Sequence, residues 1–213
     1  MDIKTVIENN IGEPLFISKV GSHVYGTSTA ESDNDYFAVV KSNSDIPIDK
    51  NSNVTIDNYD IFYLPYQSIE NMACCSSALF VGDLVNVIYA KDELHDFIKS
   101  NKFDLMNIAP SLTYISMVEL IEHDFHYKLY KRIIIMADIL KQFSKTKDFS
   151  KCFPVSDECK AQVMELINGK EYTEEELKSQ ISFIYEDSFK SCFNVASNSD
   201  LHKDFYELIL KLI

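Results

Sequence analysis

Asp33 and Asp35 stand one residue apart at the head of an apolar run, Tyr36-Phe37-Ala38-Val39-Val40. Side chains alternate faces along a strand, so a regular strand here points both carboxylates the same way. Such a pair repels itself unless water, a counter-charge or a metal ion intervenes. Mg²⁺ favours hard oxygen ligands and binds through one or two carboxylates together with substrate phosphates. Upstream, Gly21-Ser22 follows a second apolar run, Leu15-Phe16-Ile17-Ser18-Lys19-Val20. Glycine at a strand end lets backbone approach a ligand closely, and a helical turn opening at Ser22 would face free N–H groups toward an anion. One end of the stretch Gly21–Asp35 suits phosphate and the other suits a cation.

The surrounding elements follow from pattern. Ile3, Val6 and Ile7 at helical spacing predict a short helix over residues 2–10. The two apolar runs read as buried strands, at about 15–20 and from Asp33 to Val40. Lys41–Asn53 is polar, contains Pro47 and reads as a loop. Val54-Thr55-Ile56 and Tyr59–Leu64 predict a hairpin around Asp57-Asn58. In its second strand Asp60, Phe62 and Leu64 share a face. Ser68–Met72 starts a helix, while Ala78–Tyr89 fits a buried helix or a strand equally. Asp92–Lys99 reads as a short helix and Lys99–Ile108 as a connection.

Beyond residue 110 the periodicity is helical. Leu129, Ile133, Met136 and Leu140 mark a helix over Tyr127–Gln142. Asp157–Ile167 is the next, stopped by Asn168-Gly169. Glu174–Phe189 opens with a capping box at Thr173 and Glu176, and Leu201–Ile213 is the last. A small mixed sheet followed by helices predicts an α+β fold, with a core over 1–102 and a helical domain over 103–213.

The string Gly21-Ser22-His23-Val24-Tyr25-Gly26, continued by Ser32-Asp33-Asn34-Asp35, resembles the active-site motif of the DNA polymerase β-like nucleotidyltransferase superfamily. It is closest to the branch called predicted nucleotidyltransferases, which includes bacteriophage members. Gly21, Ser22, Tyr25, Gly26, Ser32, Asp33 and Asp35 match; many members carry arginine in place of His23. The helical half agrees only by the order of its elements.

The resemblance implies transfer of a nucleoside monophosphate from a nucleoside triphosphate to an acceptor hydroxyl or phosphate, with loss of pyrophosphate. Two Mg²⁺ or Mn²⁺ ions would sit on Asp33, Asp35 and a third carboxylate on a neighbouring strand. Asp60, within a strand, is favoured for that place over Asp57, which falls at the turn. Gly21, Ser22 and His23 would meet the nucleotide. So would Lys128, Lys131 and Arg132, the densest basic group of the chain, whose plain alternative is ordinary helix-surface charge. The acceptor would be an RNA end, a protein or a small molecule. The alternative is a nucleotide-binding or inhibitory module that kept the fold without turnover.

Composition bounds the rest. Of 213 residues 46% are apolar, enough for a substantial core. Twenty basic residues stand against 33 acidic ones, a net charge of −13, which disfavours a long non-specific nucleic-acid footprint. Five cysteines without a Cys-x-x-Cys pattern read as free thiols in a reducing compartment. No apolar run is long enough to span a bilayer and no secretory signal opens the chain, so the cytoplasm is the expected location. Glu122-His123-Asp124-Phe125-His126 has metal-ligand residue types, but a solvated helix face explains it better.

Overall fold

The computed structural model describes residues 2–42, 52–65, 86–121 and 127–190, with positions 204, 207, 208 and 211. Helix α1 (Ile3–Asn10), capped by the Asp2 side chain, leads into strand β1 (Gly12–Lys19). A one-turn helix, α2 (Ser22–Tyr25), separates it from β2 (Asn34–Ser42). The hairpin β3 (Ser52–Ile56) and β4 (Tyr59–Pro65) turns at Asp57-Asn58, with Ile56 opposite Tyr59. Strand β5 (Val87–Ala90) completes a five-stranded sheet of order β3-β4-β2-β1-β5. The β2–β4 pair is parallel and the other pairs are antiparallel.

Alternation along the strands gives the sheet two apolar faces. Ile17, Ala38, Val40, Ile61 and Tyr63 pack against Ile3, Val6 and Ile7 of α1. Leu15, Phe16, Phe37, Val39 and Leu64 face the helical region and join Leu94, Ile133 and Leu140 in its core. The architecture is α+β, as expected. Among the described residues no helix is long and apolar enough to cross a membrane.

Several boundaries differ from expectation. Strand β1 starts at Gly12 rather than near Leu15; β2 continues through Lys41 and Ser42, and β3 takes in Ser52 and Asn53. In each case pairing with a neighbouring strand satisfies backbone groups of residues whose own types suggest a loop. Of the ambiguous Ala78–Tyr89, Val87–Tyr89 belong to β5; the earlier part, with Ser68–Met72, lies outside the described residues.

Helix α3 (Asp92–Ile121) is continuous and includes Pro110, so Lys99–Ile108 is helix and not a connection. The boundary expected after residue 102 falls inside it. Within it Asn101 Nδ2 donates to the Phe97 carbonyl at 2.9 Å.

Helix α4 (Tyr127–Thr146) extends four residues past the expected Gln142. A 3-10 turn, Phe149–Cys152, and α5 (Asp157–Ile167) follow. The capping box is present at the start of α6 (Glu174–Gln180). The helix expected over Glu174–Phe189 instead breaks into α6, a 3-10 turn (Ser182–Tyr185) and α7 (Asp187–Lys190). Leu177, Ile181 and Ile184 fit one helical face, but Phe189 would fall about a third of a turn away on a continuous helix. The tighter turn brings Phe189 into the core, edge-on to Phe183 with centroids 5.0 Å apart.

Of the five cysteines, Cys152 and Cys159 are described, and both are buried free thiols. Burial pushes them up to about 11 and about 12 respectively.

Candidate active site

The Gly-Ser corner is built by backbone. Gly21 adopts φ 74°, and its carbonyl accepts from Val24 N–H at 3.1 Å and Tyr25 N–H at 3.2 Å. Gly26 closes the turn in the left-handed region, with Thr27 N–H donating to the Ser22 carbonyl at 2.9 Å. A Cβ on Gly21 would lie 1.9 Å from Asp35 Oδ2. The Asp35 carboxylate therefore occupies space that only glycine leaves open. The Ser22 backbone N–H favours the ionised form of that carboxylate, partly offsetting the upward push of burial.

Asp35 and Asp60 are register partners across the parallel β2–β4 pair. Asp35 shares the parity of Phe37 and Val39, and Asp60 that of Phe62 and Leu64. Alternation thus turns both toward the helical region. Thr55 Oγ1 donates to Asp60 Oδ1 at 3.3 Å. Asp33 lies just before β2, not within it, and is exposed. The β2–β4 pairing begins at Asn34, opposite Tyr59, and Asn34 N–H donates to the Asn58 carbonyl of the hairpin turn at 3.2 Å. Asp57 is exposed in that turn at φ 54°.

Burial above all, then the charge of Asp60, holds the Asp35 carboxyl above the ordinary aspartate range. Asp33 adds to the rise; the Ser22 N–H and Lys131 oppose it. Lys131 on α4 thus acts on Asp35 from the helical side. Arg132 lies one residue on, about 100° around the helix axis. The Lys128 side chain and residues 122–126 lie outside the described residues. His23 Nε2 is buried without a hydrogen-bond partner, as are Ser18 Oγ and Thr27 Oγ1.

A second set of contacts ties the helical region to the corner. Val155 N–H donates to the Tyr25 carbonyl at 3.0 Å. The Tyr25 ring stacks on Phe153, with centroids 6.2 Å apart. Asp138 of α4 accepts from Ser156 N–H at 2.8 Å, Ser156 Oγ at 2.6 Å and Gln142 Nε2 at 2.8 Å. Sequence reasoning missed Asp138. Its signal was available: it is the one charge in the run Ile133–Leu140.

The donor chemistry at Asp35 and Asp60 suits a hard divalent cation, which would offset the repulsion of two facing carboxylates. Among the described residues no three histidine, cysteine or carboxylate groups converge into a complete ligand set. An ion bound by Asp35 and Asp60 would therefore draw its remaining oxygens from elsewhere, as Mg²⁺ does from water and phosphates. The chain matches no protein-family model and no curated protein.

Proposed function

We propose that the protein is a divalent-metal-dependent nucleotidyltransferase. The observation that carries this reading is the facing pair Asp35 and Asp60 beside the Gly21-Ser22 corner, with Lys131 acting on Asp35 from α4. A Gly-Ser corner, an in-register carboxylate pair and a cation opposite meet the needs of in-line phosphoryl chemistry, in which positioning and charge neutralisation do most of the work.

Asp35 and Asp60 would hold Mg²⁺ or Mn²⁺, with Asp33 reaching in from the chain just before β2. Bound there, two ions would supply charge stabilisation at the attacking and leaving oxygens. The Ser22 hydroxyl and Lys131 would orient the triphosphate. The acceptor oxygen bonds to the α-phosphorus while the bond to the bridging oxygen breaks, and pyrophosphate leaves with that electron pair. Asp60 would take the acceptor proton. The acceptor would be an RNA end, a protein side chain or a small molecule.

The test is incubation with α-labelled nucleoside triphosphates, Mg²⁺ or Mn²⁺ and cell extract, following pyrophosphate release and the fate of the label. Label entering RNA, protein or a small molecule supports the reading and names the acceptor class. Triphosphate binding without pyrophosphate release would shift the protein to a non-catalytic nucleotide-binding module. Neither binding nor release would remove the reading.

A further inference from the structure

Lys131 and Asp138 are seven residues apart on α4, so they project from nearly the same side, about 10 Å apart along the axis. Lys131 acts on Asp35. Asp138 is held by Ser156, and the residue before it, Val155, is held by the Tyr25 carbonyl at 3.0 Å. Tyr25 ends the one-turn helix that begins at Ser22, and the Asp35 carboxylate lies against Gly21 at its start, 1.9 Å from where a Cβ would stand. These links form a chain of contacts: Asp35 to Gly21, along α2 to Tyr25, across to Val155 and Ser156, then to Asp138, and along α4 to Lys131, whose charge reaches Asp35.

Both ends of the Asp138 bridge are stiff. Ser156 is also the N-cap of α5, its Oγ accepting from Cys159 N–H at 3.2 Å. The segment leading to it packs on the corner itself, since a Cβ on Gly26 would meet Pro154 Cβ at 2.8 Å. Helix α4 cannot rotate or slide without breaking the two hydrogen bonds from Ser156 to one carboxylate; the third donor, Gln142, lies on α4 itself and steadies the carboxylate. A carboxylate held by two donors from another element is a stronger tether than one apolar contact, because breaking it strands a charge in a partly buried place.

We propose that Asp138 is a positioning residue. Clamped by Ser156, it sets the rotation and height of α4 against the Gly-Ser corner and so aims Lys131 at the phosphates of a bound triphosphate. The inference rests on the nucleotidyltransferase reading and adds to it a residue that touches neither metal nor substrate. Asparagine at this position keeps the shape but offers one acceptor oxygen where three donors converge.

The test is a double-mutant cycle read in two observables. Affinity for inorganic tripolyphosphate with Mg²⁺, a probe that needs no base, is measured by calorimetry, and thermal stability by calorimetric melting. The four proteins are wild type, Asp138→Asn, Lys131→Ala and the double variant, with Ser156→Ala replacing Asp138→Asn if the latter does not fold. Coupling is expected in affinity alone. Asp138→Asn should weaken tripolyphosphate about fivefold when Lys131 is present and by less than about twofold when it is absent. Its effect on the melting temperature should be the same in both backgrounds. Equal weakening of tripolyphosphate in both backgrounds would mean that Asp138 supports the fold only, and the inference falls while the nucleotide reading stands. A wild-type protein that does not bind tripolyphosphate overturns the nucleotide reading and this inference with it.

Discussion

Asp35 and Asp60 face each other in register across the parallel β2–β4 strand pair. Parallel neighbours on one face set their side chains side by side, so each carboxylate lies in the other's field. The Asp35 carboxyl accordingly sits above its ordinary value of 3.8, raised first by burial and then by Asp60. A carboxyl raised on folding binds its proton more tightly in the native state, so its ionisation opposes folding. That penalty is complete once the pH exceeds the raised value. It disappears as the pH falls back toward the ordinary one.

The first prediction follows from that sign. Asp35→Asn should melt higher than the wild type in metal-free buffer at neutral pH, and the gap should close on acidification through the Asp35 titration. Mg²⁺ should stabilise the wild type through binding to the native state and stabilise Asp35→Asn much less. Transfer should drop by about a hundredfold or more, as when a preorganised charge is removed from such a site. A folded Asp35→Asn protein with wild-type turnover would sink the catalytic assignment.

The second prediction separates Asp60 from Asp57. Asp60→Asn should lose transfer on a scale similar to Asp35→Asn, since it removes the facing carboxylate while Thr55 keeps a partner oxygen. Asp57→Asn should change neither activity nor stability appreciably, because asparagine tolerates the left-handed backbone that Asp57 adopts at φ 54°. Parallel kinetics and melting curves decide this. Loss of activity in Asp57→Asn alone would place the third carboxylate in the turn.

Two glycines give the third prediction. Gly21 and Gly169 both have positive φ, 74° and 91°. A Cβ at Gly169 meets nothing within 4 Å, whereas one at Gly21 meets Asp35 Oδ2 at 1.9 Å. Gly169→Ala should therefore cost only the backbone term, about 1–2 kcal/mol, with transfer intact. Gly21→Ala should cost more and displace the Asp35 carboxylate, lowering transfer about a hundredfold, the scale of a 1 Å misplacement at a reacting centre. Activity per folded molecule distinguishes the two. A Gly21→Ala protein as active as Gly169→Ala would show that the Asp35 position does not matter.

The hairpin and the place of Asp60 in its second strand were legible because both depend on local alternation, whereas the Asp35–Asp60 register is set by the β2–β4 pairing. Val54-Thr55-Ile56, the Asp-Asn turn and Tyr59–Leu64 carry the whole signal within the segment. The same reasoning placed Asp60 in a strand and Asp57 in the turn. What pairing or packing decides was hidden. Lys41, Ser42, Ser52 and Asn53 look like loop residues but find strand partners. Lys99 looks like a helix end, yet α3 runs on through it to Ile121. Asp138 was overlooked for a related reason: as the one charge in the run Ile133–Leu140 it stood out locally, but its partner Ser156 is distant in sequence and nothing local names it.

The last prediction concerns the basic residues. Lys131 and Arg132 are adjacent in sequence but point about 100° apart on α4, and Lys131 is the one that acts on Asp35. If Lys131 contacts a triphosphate, Lys131→Ala should raise the nucleotide KM about tenfold, the worth of one charge-assisted hydrogen bond. Arg132→Ala should change it much less, and neither should unfold the protein, as both residues are partly exposed. Equal effects of the two substitutions would indicate a diffuse field rather than a directed contact. The same logic limits the acceptor. One directed lysine in a chain of net charge −13 cannot neutralise the several phosphates that a long footprint requires. Binding to long single-stranded RNA without triphosphate should therefore be weak at physiological salt, with a shallow dependence on salt concentration. Tight binding with a steep salt slope, measured by filter retention or fluorescence anisotropy across a salt series, would contradict an acceptor recognised at one end or one group.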